Sequence, residues 1–184
     1  PEGLFAAVDR TTGRLLAALD LPQTPEPVPD LPVAERLTES LTAFEAHTRA
    51  LNARMLKGDS EGALRHWGDA VREDASFAVA QVAMAQVLFQ SGLTLDGGMA
   101  VQSALQHGYK LSDAERFQAK ALNYVFRGQR DKELATYKAW TELSPDDPLA
   151  FSYLAMAYQY VANDPDGALE AYERIYEIDP REDW

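Results

Sequence analysis

The chain has 184 residues, 46% apolar and 25% charged, which suffices for one helical domain with a continuous core plus an appendage. Lys and Arg total 17 against 29 Asp and Glu, and a net charge of −12 repels a phosphate backbone, so nucleic acid is a poor partner. Zero cysteines exclude disulfides and thiolate metal sites, and no stretch approaches the roughly 18 apolar residues needed to cross a bilayer.

From the N-terminus, residues 2–20 carry Leu4, Phe5, Val8, Leu15, Leu16 and Leu19 at spacings of three, four and seven, which predicts one amphipathic helix. Five prolines follow between Leu21 and Pro32 (Pro22, Pro25, Pro27, Pro29, Pro32); they cannot continue a helix and favour a semi-rigid extended connector. Residues 33–184 form a second region in which helical patterns alternate with short breaks up to Pro180, and no useful β-type alternation occurs. The chain begins at Pro1 rather than Met, without a basic segment leading into an apolar one, and is expected to be a piece of a longer protein. The absence of cysteine fits a reducing cytoplasm, which is favoured, and also a cysteine-poor periplasm.

An internal period decides the fold expectation. Gly58, Gly92 and Gly128 each close the first helix of a pair, and Ala85, Ala121 and Ala155 recur where helices must approach closely. Leu88, Tyr124 and Tyr158 follow one turn later. In the second helices Ala63, Ala100 and Ala168 mark the close crossing, followed four residues on by Trp67, Ala104, Tyr137 and Tyr172. Pro145 and Pro180 stop the last two units. Ser112 with Glu115 predicts a capping box, and Gly108 a C-cap for the helix before it.

These residues resemble the tetratricopeptide repeat (TPR) family, over units of about 44–77, 78–113, 114–147 and 148–182. The best match is the last unit, where Phe151, Leu154, Ala155, Tyr158, Ala168, Tyr172 and Pro180 fall on the family pattern, with one extra turn residue at Asn163-Asp164. The first unit departs at Leu51 and Arg54, the second by about three extra turn residues from Thr94 to Gly98, and the third at Lys120 and Glu133. The resemblance implies an all-α, right-handed α-α superhelix of about four helical hairpins behind the N-terminal helix.

Nothing in the sequence reads as catalytic, cofactor-binding or metal-binding, and no enzyme is expected. His47, His66 and His107 lie in three separate helices without a second ligand one turn away. The carboxylates at Asp146-Asp147 and at Asp164 and Asp166 flank prolines, where Asp serves caps and turns. Gly97-Gly98 lacks the Lys and Ser/Thr of a phosphate loop and reads as a turn. Trp67, Trp140 and the repeated tyrosines follow the hairpin period and read as core.

By family geometry the concave groove falls on Arg49, Asn52, Val82, Gln86, Phe89, Gln118, Leu122, Phe126, Tyr153, Met156 and Tyr160, with neighbours such as Leu56, Gln90 and Gln159. This face is mainly neutral and apolar, and its large side chains call for a cover, from a partner or a second copy of the chain as a homodimer. The resemblance thus implies a protein-protein interaction scaffold that binds a peptide or helix through aromatic anchors, without nucleic acid or membrane. The entry segment also looks like the lead-in to repeat arrays of bacterial multidomain regulators that carry cyclase, Ser/Thr kinase or winged-helix domains. The alternative it implies is a regulatory or sensory signalling domain that binds a small ligand or controls an effector domain not in this sequence.

Overall fold

Four helical hairpins stack in chain order in the computed structural model, which describes residues 2–18 and 32–180. The connector expected at 21–32 lies, apart from Pro32, outside the described residues, as does Leu19. The helices are α1 (Glu2–Ala18), α2 (Val33–Arg36), α3 (Leu41–Lys57), α4 (Ser60–Glu73), α5 (Ala78–Gln90), α6 (Thr94–Gln106), α7 (Asp113–Phe126), α8 (Arg130–Leu143), α9 (Pro148–Ala157) and α10 (Pro165–Ile178). Hairpins α3/α4, α5/α6, α7/α8 and α9/α10 form an all-α repeat superhelix, with no strand among the described residues.

Local chemistry sets the boundaries. The Ser40 and Asp59 side chains accept from the N–H groups of Ala43 and Gly62, and Ser112 with Glu115 forms the expected capping box. Pro148 and Pro165 open α9 and α10 behind Asp147 and Asp164 caps, where a missing N–H costs nothing. A Cβ on Gly62 would meet the Asp59 carboxylate in its present position, so glycine lets that carboxylate lie close over the helix end; Asp164 and Gly167 repeat the arrangement.

Every first helix ends in a left-handed residue: Gly58, Gly92, Gly128 and, in the fourth hairpin, Asn163 at φ 52°. The wrapping differs. In the middle hairpins Leu93 N–H and Gln129 N–H bond back to the Leu88 and Tyr124 carbonyls, five residues earlier. In the outer two, Asp59 and Asp164 reach back six residues, to Ala53 and Tyr158. The extra residue expected in the turn at Asn163-Asp164 is thus absorbed within the helix, as the π-helical turn Tyr158–Ala162.

The wide turn also shifts the register of the first hairpin. Ala50, not Leu51, takes the tight crossing position, and Ala50, Ala85, Ala121 and Ala155 are all fully buried. Counting from the N-caps Asp59, Leu93, Gln129 and Asp164, the second helices carry Ala63, Gly97, Glu133 and Ala168 at their crossing, so Gly97 replaces Ala100 and Val101 replaces Ala104. Gly97 and Gly98 are helical and buried, not a turn. A Cβ on Gly97 would lie 3.0 Å from the Phe89 ring, and one on Gly98 would run into the Phe126 ring. The extra length of the second unit lies at its other end, in the 3₁₀ turn Gly108–Lys110, and α6 ends on His107 rather than on a left-handed Gly108.

The core is a row of Ala-lined crossings filled by a few large side chains: Trp67 and Phe77 at one end, Trp140, Tyr137 and Ile175 at the other. Against this row the N-terminal helix docks on the first hairpin. Phe5 is buried with its ring edge-on to Phe44 at 5.8 Å, and the Asp9 carboxylate accepts from Val33 N–H at 3.0 Å. Burying a Phe side chain stabilises such a contact by roughly 1.5–3 kcal/mol. Behind it, Lys110 Nζ donates to Ser76 Oγ, whose hydroxyl donates to Asp74. Burial opposes the charge on Asp74, but hydrogen bonds from Thr38 and Ser76, with the nearby Lys110 ammonium, hold its carboxyl below the usual carboxylate range. Arg36 adds an ion pair to Glu115 at 3.7 Å, tying α2 to the third hairpin.

Candidate functional site

The first helices of the hairpins share one face, and hydrogen bonds lace it together. Arg54 of α3 donates to Gln90 of α5 at 2.9 Å; Gln86 of α5 donates both to Gln118 of α7 at 2.8 Å and to the Tyr153 hydroxyl of α9 at 3.0 Å. A bond from α5 to α9 skips a hairpin, which requires a strongly concave face there.

The residues placed on this groove from the sequence divide into three groups. Val82 is buried, Leu122 packs on the second core cluster, and Phe89 and Phe126 lie against the α6 glycines. Gln86, Gln118 and Tyr153 are joined to one another; Tyr153 also stacks on Tyr137 at 5.5 Å and tilts against Trp140 at 5.7 Å. Arg49, Asn52, Met156 and Tyr160 are exposed, Arg49 pairing with Glu45 at 3.7 Å.

Tyr153, Met156 and Tyr160 converge on one cavity of about 200 Å³, completed by Arg130, Glu133 and Tyr137 of α8 with Ala157 and Val161. Tyr160 is 76% exposed and Met156 40%, whereas Tyr137 at 6% belongs to the core. Burial raises the Tyr137 hydroxyl well above the ordinary phenol value; the Glu133 carboxylate and Tyr153 push the same way, against Arg130. Burial also raises Tyr153, opposed by the Gln86 hydrogen bond. Arg130, Glu133 and Tyr137 are not among the groove residues read from the sequence. Their signal was the charged residue at a crossing otherwise built from Ala and Gly.

No family model and no curated protein matches the chain. Among solved structures it is similar to MamA, at 18% identity over 76% of this chain and 79% of that one, TM-score 0.51. The MamA RS-1 ArsTM double mutant gives 14% identity, 79% and 80% coverage, and the same score of 0.51. YrrB, a TPR protein with an unusual peptide-binding site, reaches 0.41 at 19% identity over 76% of this chain and 87% of that one, too loose a superposition to bear on the site. The chain shares the all-α helical-repeat fold of MamA. At these identities the likeness establishes the fold and nothing about ligands.

His47, buried in the first hairpin, has a structural partner, whereas Gln81 Oε1 and Asn123 Oδ1 are buried without one among the described residues. His47 Nδ1 accepts from Trp67 Nε1 at 3.1 Å beneath the Phe77 ring, and burial lowers its pKa, outweighing the Glu115 carboxylate. Among the described residues no group of three His, Asp or Glu is placed to hold a metal, and no helix is long and apolar enough to cross a membrane.

Proposed function

We propose that this chain is a non-catalytic protein-interaction module whose concave face holds a peptide or helix, with the pocket at the fourth hairpin seating one anchoring side chain. The observation that carries this reading is the convergence of Tyr153, Met156 and Tyr160 on one cavity at the end of a hydrogen-bonded groove. At about 200 Å³ it is smaller than the roughly 300–1,000 Å³ typical of small-molecule sites, and suits one large side chain better than a free ligand. Asn52 and Gln159 are exposed and available to an extended backbone. The net charge of −12 opposes acidic partners.

The test is selection of peptides from a displayed library against the whole chain, repeated with Tyr160→Ser and Met156→Ser. Both residues are exposed, so these changes spare the fold, unlike changes at Tyr153 or Phe126. Peptides whose capture is lost in both variants support the groove. Enrichment indifferent to both, or none, contradicts it; a second copy as occupant would appear as a dimer in light scattering.

A further inference from the structure

Glu133 stands where the other three hairpins carry Ala63, Gly97 and Ala168, the position at which second helices cross most closely. A carboxylate at such a crossing loses hydration that alanine would not, and repays it only through a well-made partner. Its partner here is Arg130 Nη1 at 2.7 Å. The two ends of this pair are unequal: the Glu133 side chain is 9% exposed and the Arg130 side chain 57%. The anion is part of the interior, and its counter-ion lies at the surface one helical turn away. A buried carboxylate needs a cationic partner, and this one takes its partner from the surface, where another cation can reach the same oxygens.

The walls around the carboxylate favour the same ligand charge. Tyr137, Tyr153 and Tyr160 line the cavity with Met156; Tyr137 and Tyr153 are stacked on each other and Tyr153 tilts against Trp140, so the ring whose face is open to a cation is that of Tyr160. Burial raises the Tyr137 hydroxyl, and Glu133 and Tyr153 add to the rise against Arg130, as expected for a ring that belongs to the interior. The π turn Tyr158–Ala162 places Tyr160 at the mouth, largely open to solvent.

We propose that the pocket receives the cationic end of an arginine or lysine side chain from a bound peptide, paired with the Glu133 carboxylate and covered by the Tyr160 ring, with Arg130 displaced to solvent. The source of that side chain rests on the groove reading; the charge preference rests on Glu133 and the Tyr160 ring alone.

The experiment follows the ring resonances of isotope-labelled tyrosines in the whole chain during titration with N-acetylarginine amide and with its neutral isostere, N-acetylcitrulline amide. Signals of Tyr137, Tyr153 and Tyr160 should move with the arginine compound, which should bind about tenfold more tightly than citrulline. Glu133→Gln, of nearly the same shape, should abolish the preference, and Arg130→Ala should strengthen binding by removing the internal competitor. A merely structural Glu133–Arg130 pair would give no such gain. Equal affinity for the two amides, a preference that survives Glu133→Gln, or weaker binding in Arg130→Ala would overturn the proposal. Displayed peptides that depend on Tyr160 yet carry no basic residue would overturn the charge preference and leave the groove standing. Arginine binding without any Tyr160-dependent peptide would uphold the pocket and remove the groove.

Discussion

The first and third hairpins both bury a polar group where their helices meet, and they do so in opposite ways. In the first, His47 and Trp67 are both buried, and one hydrogen bond closes the pair between helices α3 and α4. In the third, Glu133 is buried, yet its partner Arg130 is mostly in water and a cavity opens beside it. A buried polar group with a buried neutral partner is a fastener; the same group with an exposed partner remains open to exchange. The contrast separates the part of the array that holds the stack from the part able to receive something.

The largest effect should come from breaking the fastener. Trp67→Ala removes one of the largest fully buried side chains and should cost about 3–5 kcal/mol, read as a lower denaturation midpoint with unchanged slope. His47→Leu leaves the Trp67 N–H buried without an acceptor and should cost about 1–3 kcal/mol in the same assay.

Acid should act through the same pair. Because the folded pKa of His47 lies below the ordinary 6.5, the unfolded chain takes up a proton that the folded chain refuses. Stability should be complete above that value and fall as pH drops from 6.5 toward the lowered folded pKa, and His47→Leu should flatten that fall. Asp74 acts later: its lowered pKa means stability present above 3.8 and lost as pH falls through the folded value. A stability profile flat from pH 7 to 5 would contradict the neutral, buried histidine.

The smallest effect belongs to the third hairpin. Glu133→Gln should leave stability within about 1 kcal/mol of the parent, since the anion leaves the interior and the Arg130 guanidinium it releases is already largely in water. A loss comparable to that of Trp67→Ala would make Glu133 a fastener too and erase the contrast.

The repeat itself was legible because its markers answer to local chemistry. Gly58, Gly92 and Gly128 sit at positive φ, where a side chain is strained, and Ala85, Ala121 and Ala155 sit where two backbones nearly touch. Ala50 was hidden because the wide turn at Gly58 adds one residue to the register. Gly97 and Gly98 were misread because glycine pairs usually signal turns; here Phe rings from α5 and α7 occupy the space their side chains would need. The groove was only partly legible for a similar reason: Val82 and Leu122 lie on the correct helices, but which way each points depends on the tilt between hairpins.

Sequence alone therefore determined the class of fold, an all-helical array of hairpins with small residues at its crossings, because a period near 35 residues and the geometry of caps act over a few turns of chain. It also marked Glu133 as out of place. Only the tertiary structure decided that Gln86 would reach Tyr153 across an intervening hairpin, that Phe5 would settle on Phe44, and that Glu133, Tyr137, Tyr153 and Tyr160 would surround one cavity. Those outcomes follow from the rotation between successive hairpins, which sums many weak side-chain contacts across helices and is written in no single stretch of the sequence.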